Sequence, residues 1–296
     1  MKDINNKTVL ITGAGSGIGR ATAYLLSELN CQLILVDIDE KSVERTSFFI
    51  EKMGGRATCY VCDISQEKEV IFVADSIQKK FRSIDILINN AGIASGGRFL
   101  DTELTTWKKV LDVNVMGVIN GCHYFIPLMM HGKGGHVVNL SSMAGFWAGA
   151  DLPVYATSKF AVLGFTESLR ADMAEYDIGV SAICPGIVNT NIVKSAAIEG
   201  RLSGDSRAGD KLQRFYQKRN YTPEKVGAAI LEAITRNIAV RPVSPESWAV
   251  YYAKRFVPNI VGLISQRRAR KSGRLPKVRL KPDVNYEDVN YENEAV

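Results

Sequence analysis

The chain has 296 residues, 46% of them hydrophobic and 23% charged, which is enough apolar material for a packed core and excludes a disordered or collagen-like polymer. Its net charge of +6 invites nucleic-acid or membrane partners, but the excess is local: Lys254, Arg255, Arg267, Arg268, Arg270, Lys271, Arg274, Lys277, Arg279 and Lys281 follow one another with no acid between them. Asp283, Glu287, Asp288, Glu292 and Glu294 then reverse the sign, so residues 1–253 are close to neutral and general nucleic-acid affinity is not expected.

Met1 to Lys7 lead directly into an apolar run, with no apolar signal core or small-residue cleavage site, so a cytoplasmic location is the expectation. From there, short β-branched or Leu-rich runs at 9–11, 33–36, 58–61, 84–88, 137–140 and 180–183 alternate with helical stretches at 19–29, 40–53, 66–81, 104–128 and 154–176. Near-continuous apolar strands, each followed by a helix, are what a parallel sheet covered on both faces requires. The expected fold class is α/β: a Rossmann-like, doubly wound parallel sheet of about seven strands, in one domain over 1–244 with a basic extension over 245–296. The most apolar helical stretch, 113–130, contains Asn114, Asn120 and His123, which argues against a transmembrane helix.

Five cysteines, Cys31, Cys59, Cys62, Cys122 and Cys184, suit reduced thiols. Cys59 and Cys62 are spaced like a redox or zinc pair, but they fall on a strand reading, where positions three apart face opposite sides, and no second pair follows. His123, His131 and His136 form no ligand pattern, so no metal is expected.

The chemistry-bearing residues begin at the end of the first strand. Thr12-Gly13-Ala14-Gly15-Ser16-Gly17-Ile18-Gly19 is a turn whose glycines let backbone N–H groups approach a pyrophosphate, with a helix N-terminus behind them. Asp37 ends the second strand about 20 residues on, where a carboxylate accepts from both ribose hydroxyls of an adenosine and repels a 2′-phosphate. Residues 14–18 and 38–40 carry no Arg or Lys, so NAD is favoured over NADP; the plain alternative is that Asp37 caps the next helix. Asp63, ending the third strand beside Ile64, is read either as a cap or as an adenine contact. Tyr155 and Lys159 stand four apart on a helix, one face and about 6 Å along the axis. There an ammonium can stabilise a phenolate; bringing a tyrosine from about 10 to about 7 takes roughly 4 kcal/mol.

Together with Asn90-Ala91-Gly92, Asn114, Ser141-Ser142 and Pro185-Gly186-Ile187-Val188-Asn189-Thr190, these motifs stand in the order and spacing of the short-chain dehydrogenase/reductase family, which the chain resembles over about residues 5–240. The resemblance implies that Tyr155 is the general acid/base, that Lys159 assists it and binds the nicotinamide ribose, and that Ser142, thirteen residues before the tyrosine, orients the substrate oxygen. It implies that Asn114 holds a water linking Lys159 to solvent. Gly13, Ser16, Gly17, Ile18 and Gly19, with Asp37, Asp63, Ile64, Asn90, Ala91, Gly92, Pro185, Gly186, Ile187, Val188 and Thr190, would line the cofactor. Ile187 and Thr190 would hold the carboxamide, and a homodimer or homotetramer is implied.

After Thr190 the strand rhythm stops; 191–220 is polar, punctuated by Gly200, Gly204 and Gly209, and reads as a mobile lid. Thr222 and Pro223 open a further helix. Trp248, Tyr251, Tyr252 and Phe256 form a broad apolar face that Pro258 interrupts, and bases follow. Two readings stay open: an interfacial helix over about 248–281 that touches the inner face of a membrane, or aromatics that roof a substrate pocket or a subunit interface. Both suit a small lipophilic substrate. The expected activity is NAD-dependent hydride transfer with a hydrophobic secondary alcohol or ketone. The alternatives are an NADP-dependent reductase of a fatty aldehyde or acyl thioester, and a membrane-recruited or partner-binding protein whose cofactor is not catalytic.

Overall fold

The computed structural model describes residues 1–130, 132, 134–190, 197–198 and 219–271. The elements in chain order are β1 (Thr8–Thr12), α1 (Gly17–Ser27), β2 (Gln32–Asp37), α2 (Glu40–Lys52), β3 (Arg56–Val61), α3 (Glu67–Phe81), β4 (Ile86–Asn89) and the two-residue β5 (Ser95–Gly96). Then come α4 (Leu104–Leu111), α5 (Gly117–Met130), β6 (Gly135–Leu140), α6 (Pro153–Asp172), β7 (Ile178–Pro185), the two-residue β8 (Ala197–Ile198), α7 (Pro223–Arg236), β9 (Val240–Val243), α8 (Pro245–Phe256) and α9 (Pro258–Lys271). Seven strands form one sheet in the order β3-β2-β1-β4-β6-β7-β9, every pair parallel.

The central strands are apolar on both faces, and the period of two sorts their side chains into two cores. Ile11, Leu33 and Leu35 join Val226, Ile230 and Ile234 of α7 on one side. Leu10, Ile34 and Leu87 join Val118, Phe125 and Met129 of α5 on the other. The run Leu104–Met130 is long and apolar enough to cross a membrane by length and composition, yet 56% of its most apolar window is buried inside the domain. Its apolarity is that of a core helix.

Three features depart from the sequence reading. The seventh strand, β9, is short and contains Pro242, so it carries no alternating signature; it pairs with β7 at the sheet edge, where a proline is tolerated. β5 and β8 form a separate two-stranded ladder too short for periodicity. The single helix expected over 104–128 is divided by a π-helical turn, Asp112–Met116, centred on Asn114. Pro258 does end one helix and begin another. Cys59 and Cys62 are free thiols, and no cluster of metal-binding side chains occurs among the described residues. His131 lies outside the described residues, as do 191–196 and 199–218 of the expected lid and 272–296 of the extension.

The sheet orders itself around buried polar groups. Asn89 of β4 donates through Nδ2 to Asn139 Oδ1 of β6 (2.9 Å), and Asn139 donates to Thr166 Oγ1 of α6 (3.1 Å). His136 of β6 is fully buried, with Nε2 2.8 Å from Ser181 Oγ of β7 and, among the described residues, no partner at Nδ1. Burial, helped by the positive N-terminus and Arg170, holds its imidazole down to about 3. An unfolded chain takes up this proton below about 6.5 and the folded chain refuses it until about 3, so stability is lost as pH falls through that window. Replacing His136 with Gln should make the fall in urea-unfolding free energy between pH 6 and pH 4 shallower by about 1.4 kcal/mol per pH unit. Parallel slopes for the two proteins would contradict the assignment.

Candidate active site

Chain order reverses between β1 and β4, because β2 and β3 lie on one side of β1 and β4, β6, β7 and β9 on the other. A crevice opens beyond the carboxyl ends of the strands at such a point. The glycine turn occupies it. Gly13 and Gly17 have positive φ of 65° and 50°. A Cβ on Gly13 would stand 2.8 Å from the Ala91 Cα, and one on Gly19 would stand 2.2 Å from the Gly13 carbonyl oxygen. Asn90 fixes this approach by donating to the carbonyls of Thr12 (2.9 Å) and Gly13 (3.0 Å), while Thr12 Oγ1 accepts from the N–H groups of Asn90 and Ala91 (both 3.1 Å). Thr12 is thus a clamp that the sequence reading quoted without giving it a role.

Ser16 precedes α1 with an extended backbone, its side chain makes no capping hydrogen bond, and the first turn over Ile18 holds no acid. These unclaimed N–H groups, with glycines where a side chain would intrude, suit a pyrophosphate. The Asp37 carboxylate accepts from the N–H groups of Gly15 (2.8 Å) and Asp39 (3.0 Å). It does not cap α2; Asp39 does, accepting from the Ser42 N–H at 3.2 Å. Arg20, on the first turn of α1, donates to the Gly15 carbonyl and to Thr46 Oγ1 (3.1 Å), so a guanidinium does lie behind this turn.

Asp63 makes a local turn, accepting from Ser65 N–H (2.9 Å) and Ser65 Oγ (2.7 Å). Ile64 is buried, and its carbonyl accepts from Asn120 Nδ2 at 3.0 Å. Gly117 is required beneath it, since a Cβ there would lie 2.1 Å from Ile64 Cδ1.

On the other side of the crevice, α6 begins at Pro153 and presents Tyr155 and Lys159 one turn apart. Lys159 Nζ lies 5.7 Å from the Tyr155 ring centroid and donates to the Leu140 carbonyl at 2.9 Å. Only 4% of Lys159 is exposed, and burial brings its ammonium down to about 8. Gly92 faces it, with room for a Cβ only 3.5 Å from Nζ and 3.1 Å from Asn114 Oδ1. The two serines separate by role. Buried Ser141 spends its hydroxyl on the Lys159 carbonyl (2.8 Å), anchoring α6. Half-buried Ser142 accepts from the Ala144 N–H (3.1 Å) and reaches the Pro185 carbonyl only at 3.4 Å.

Asn114 is fully buried, accepting from the Ile93 N–H (2.8 Å) and donating to the Ile93 carbonyl (2.9 Å) and Ser158 Oγ (3.0 Å). Both amide hydrogens are therefore committed, and the side chain joins the turn after β4 to the residue beside Lys159.

Beyond β7, Thr190 lies against Gly17, where a Cβ would meet its Cγ2 at 3.4 Å, and Val188 is buried. The Ile187 N–H, expected at a carboxamide, donates instead to Glu246 Oε1 of α8 at 2.9 Å. Glu246 also pairs with Arg219, and a side chain on Gly186 would come 2.3 Å from its Oε1. Ser247 is fully buried and donates to the Cys184 carbonyl at 2.7 Å. The first turn of the extension is thus built into the edge of the crevice, a long-range arrangement with no local sequence signal.

A family model described as short chain dehydrogenase matches residues 7–199. "Probable oxidoreductase EphD" of Mycobacterium tuberculosis is 40% identical over 255 residues, 84% of this chain and 43% of that protein, so the chain spans about half the length of that curated relative. Estradiol 17-beta-dehydrogenase 11 of Mus musculus is 35% identical over 197 residues, 66% of each chain. A crystal structure of a short chain dehydrogenase/reductase from Burkholderia phymatum in complex with NAD superposes with a TM-score of 0.81 at 30% identity, covering 88% of this chain and 96% of that one.

The buried ammonium has a measurable cost. Between about pH 8 and 10.5 the unfolded chain holds the Lys159 proton and the folded chain does not, so wild-type stability rises with pH across that window. Lys159→Met lacks this term. Its unfolding free energy relative to wild type should fall by about 3 kcal/mol between pH 7.5 and 10.5, read from urea denaturation. A pH-independent difference would mean that the lysine is not buried charged.

Proposed function

The chain belongs to the short-chain dehydrogenase/reductase family, and we propose that it is an NAD-dependent oxidoreductase that moves a hydride between the nicotinamide and a hydrophobic secondary alcohol or ketone. The observation that carries this reading is the Tyr155 ring 5.7 Å from a buried Lys159 ammonium, across the crevice from an uncapped glycine turn.

In the oxidative direction the substrate hydroxyl gives its proton to Tyr155 Oη as the carbinol hydrogen leaves with its electron pair. A nicotinamide bound in the crevice would supply the acceptor for that hydride. Lys159 stabilises the charge on Tyr155, held in place by the Leu140 carbonyl and by the Ser141 bond to its own carbonyl. Ser142 orients the substrate oxygen; its weak 3.4 Å contact to Pro185 leaves the hydroxyl available to turn. Asn114 positions the proton-transfer group through Ile93 and Ser158. The N–H groups from Ser16 to Gly19 would hold the pyrophosphate, and Asp37 the adenosine ribose. Asn90 to Gly92, with Val188 and Thr190, form the remaining wall.

NAD is preferred because the Asp37 carboxylate at the end of β2 would repel a 2′-phosphate, and the NAD complex of the Burkholderia protein accords with this. Arg20 gives the NADP alternative a specific basis, so cofactor choice belongs in the test. The name of the murine relative supports a lipophilic secondary alcohol as substrate class.

With a panel of aliphatic, terpene, retinoid and steroid alcohols, reduced cofactor should appear with NAD and far more slowly with NADP at equal concentration. Tyr155→Phe should lower kcat by about 10²–10⁴-fold while changing NADH affinity little. Wild-type turnover in that variant would overturn the mechanism, and faster reaction with NADP would overturn the cofactor assignment.

A further inference from the structure

The two helices beyond β9 carry an outward face that the catalytic reading leaves unused. Their inner faces are fastened to the domain. Tyr251 meets Phe146 edge-on with ring centroids 5.0 Å apart, Trp147 Nε1 donates to Ser265 Oγ (2.6 Å), and an Arg98 guanidinium nitrogen donates to the Ala269 carbonyl (3.1 Å). Because both α8 and α9 are tethered in this way, the opposite side is a defined surface.

Apolar side chains are exposed on both sides of the Pro258 break. Trp248, Tyr252 and Phe256 follow at intervals of one turn and stack as a ladder, with centroids 5.5 and 6.3 Å apart and planes within 23° and 17°. Phe256 is 74% exposed, Ile260 54% and Leu263 52%, with Tyr252, Val257 and Ile264 exposed beside them. Arg267 and Arg270 are exposed and fall on the Ile260 and Leu263 side of α9 by helical spacing, whereas Arg255 of α8 turns back onto Tyr251 (3.3 Å to its hydroxyl); the sequence from Lys254 to Lys281 contains no acid.

We propose that the outer face of α8 and α9 docks on an anionic lipid bilayer, with Tyr252, Phe256, Ile260 and Leu263 entering the headgroup boundary and the bases meeting lipid phosphate and carboxylate groups. Charge decides between the candidate occupants. A second copy in a two-fold interface would set this base-rich face against itself, whereas an anionic surface attracts it. Apolar side chains flanked by Lys and Arg, on a helix surface with its other side occupied, are the physical requirements of interfacial binding. The proposal does not depend on the catalytic reading.

The test is co-sedimentation of the full chain with vesicles of phosphatidylcholine alone and of an equal mixture of phosphatidylcholine and phosphatidylserine. The wild type should pellet with the mixed vesicles and be released by salt. A Phe256→Asp, Leu263→Asp variant should bind them roughly tenfold or more weakly, with unchanged thermal midpoint and solution mass. Equal binding by this variant, no binding by the wild type, or a fall in the variant's oligomeric mass would overturn the proposal, the last by placing the face between copies of the chain. Should the aspartates lower the thermal midpoint, Arg267→Gln, Arg270→Gln decides: lost preference for phosphatidylserine supports the proposal and retained preference overturns it.

Discussion

A charged lysine almost out of contact with solvent is the constraint around which the crevice is organised. Taking an ammonium out of water costs several kcal/mol unless its hydrogens find oxygen, and here the Leu140 carbonyl at the end of β6 provides one partner. Its position dictates others. α6 must start close enough to the sheet for Lys159 to reach that carbonyl, which the Ser141 bond to the lysine's own carbonyl secures. Gly92 packs tightly beside Asn114, where a Cβ would stand 3.1 Å from Oδ1, and Asn114 holds the neighbouring turn through Ile93. The π-helical turn that carries Asn114 follows from the same demand, since an uninterrupted α-helix would direct that residue elsewhere.

The far side of the crevice rests on a second long-range tie. Glu246 receives the Ile187 N–H and pairs with Arg219, so one carboxylate joins residues on either side of the 191–218 segment to the start of α8. Gly186 tolerates no side chain because that carboxylate packs against it. The family match ends at residue 199, yet α8 is fixed to the domain through Ser247 and the Phe146–Tyr251 contact. α9 is held as well, through Ser265 and the Ala269 carbonyl.

The parts of this arrangement readable from sequence were those with a local cause. Six strands announce themselves as apolar runs because both faces of a parallel sheet are buried, and the glycine turn because its spacing has few other uses. Tyr155 and Lys159 share a face by helical period alone. The serines illustrate the limit: spacing favoured Ser142, but the reason Ser141 is unavailable is a bond to a residue 18 positions away. β9 was missed because an edge strand of four residues with a proline has no period to read. Thr12 and Glu246 act through partners that sequence distance hides, while Arg20 lies just past the glycine turn, on the first turn of α1. Asp37 carried two readings until Asp39 proved to be the helix cap.

The central claim is direct hydride transfer in this crevice, and isotope transfer tests it most directly. A secondary alcohol carrying deuterium on its carbinol carbon, oxidised in the presence of NAD, should yield reduced cofactor heavier by one mass unit, with the label on the nicotinamide ring. Ketone formation with unlabelled reduced cofactor would contradict the account, because the hydrogen would then have passed through solvent instead of moving between carbon atoms held by this site.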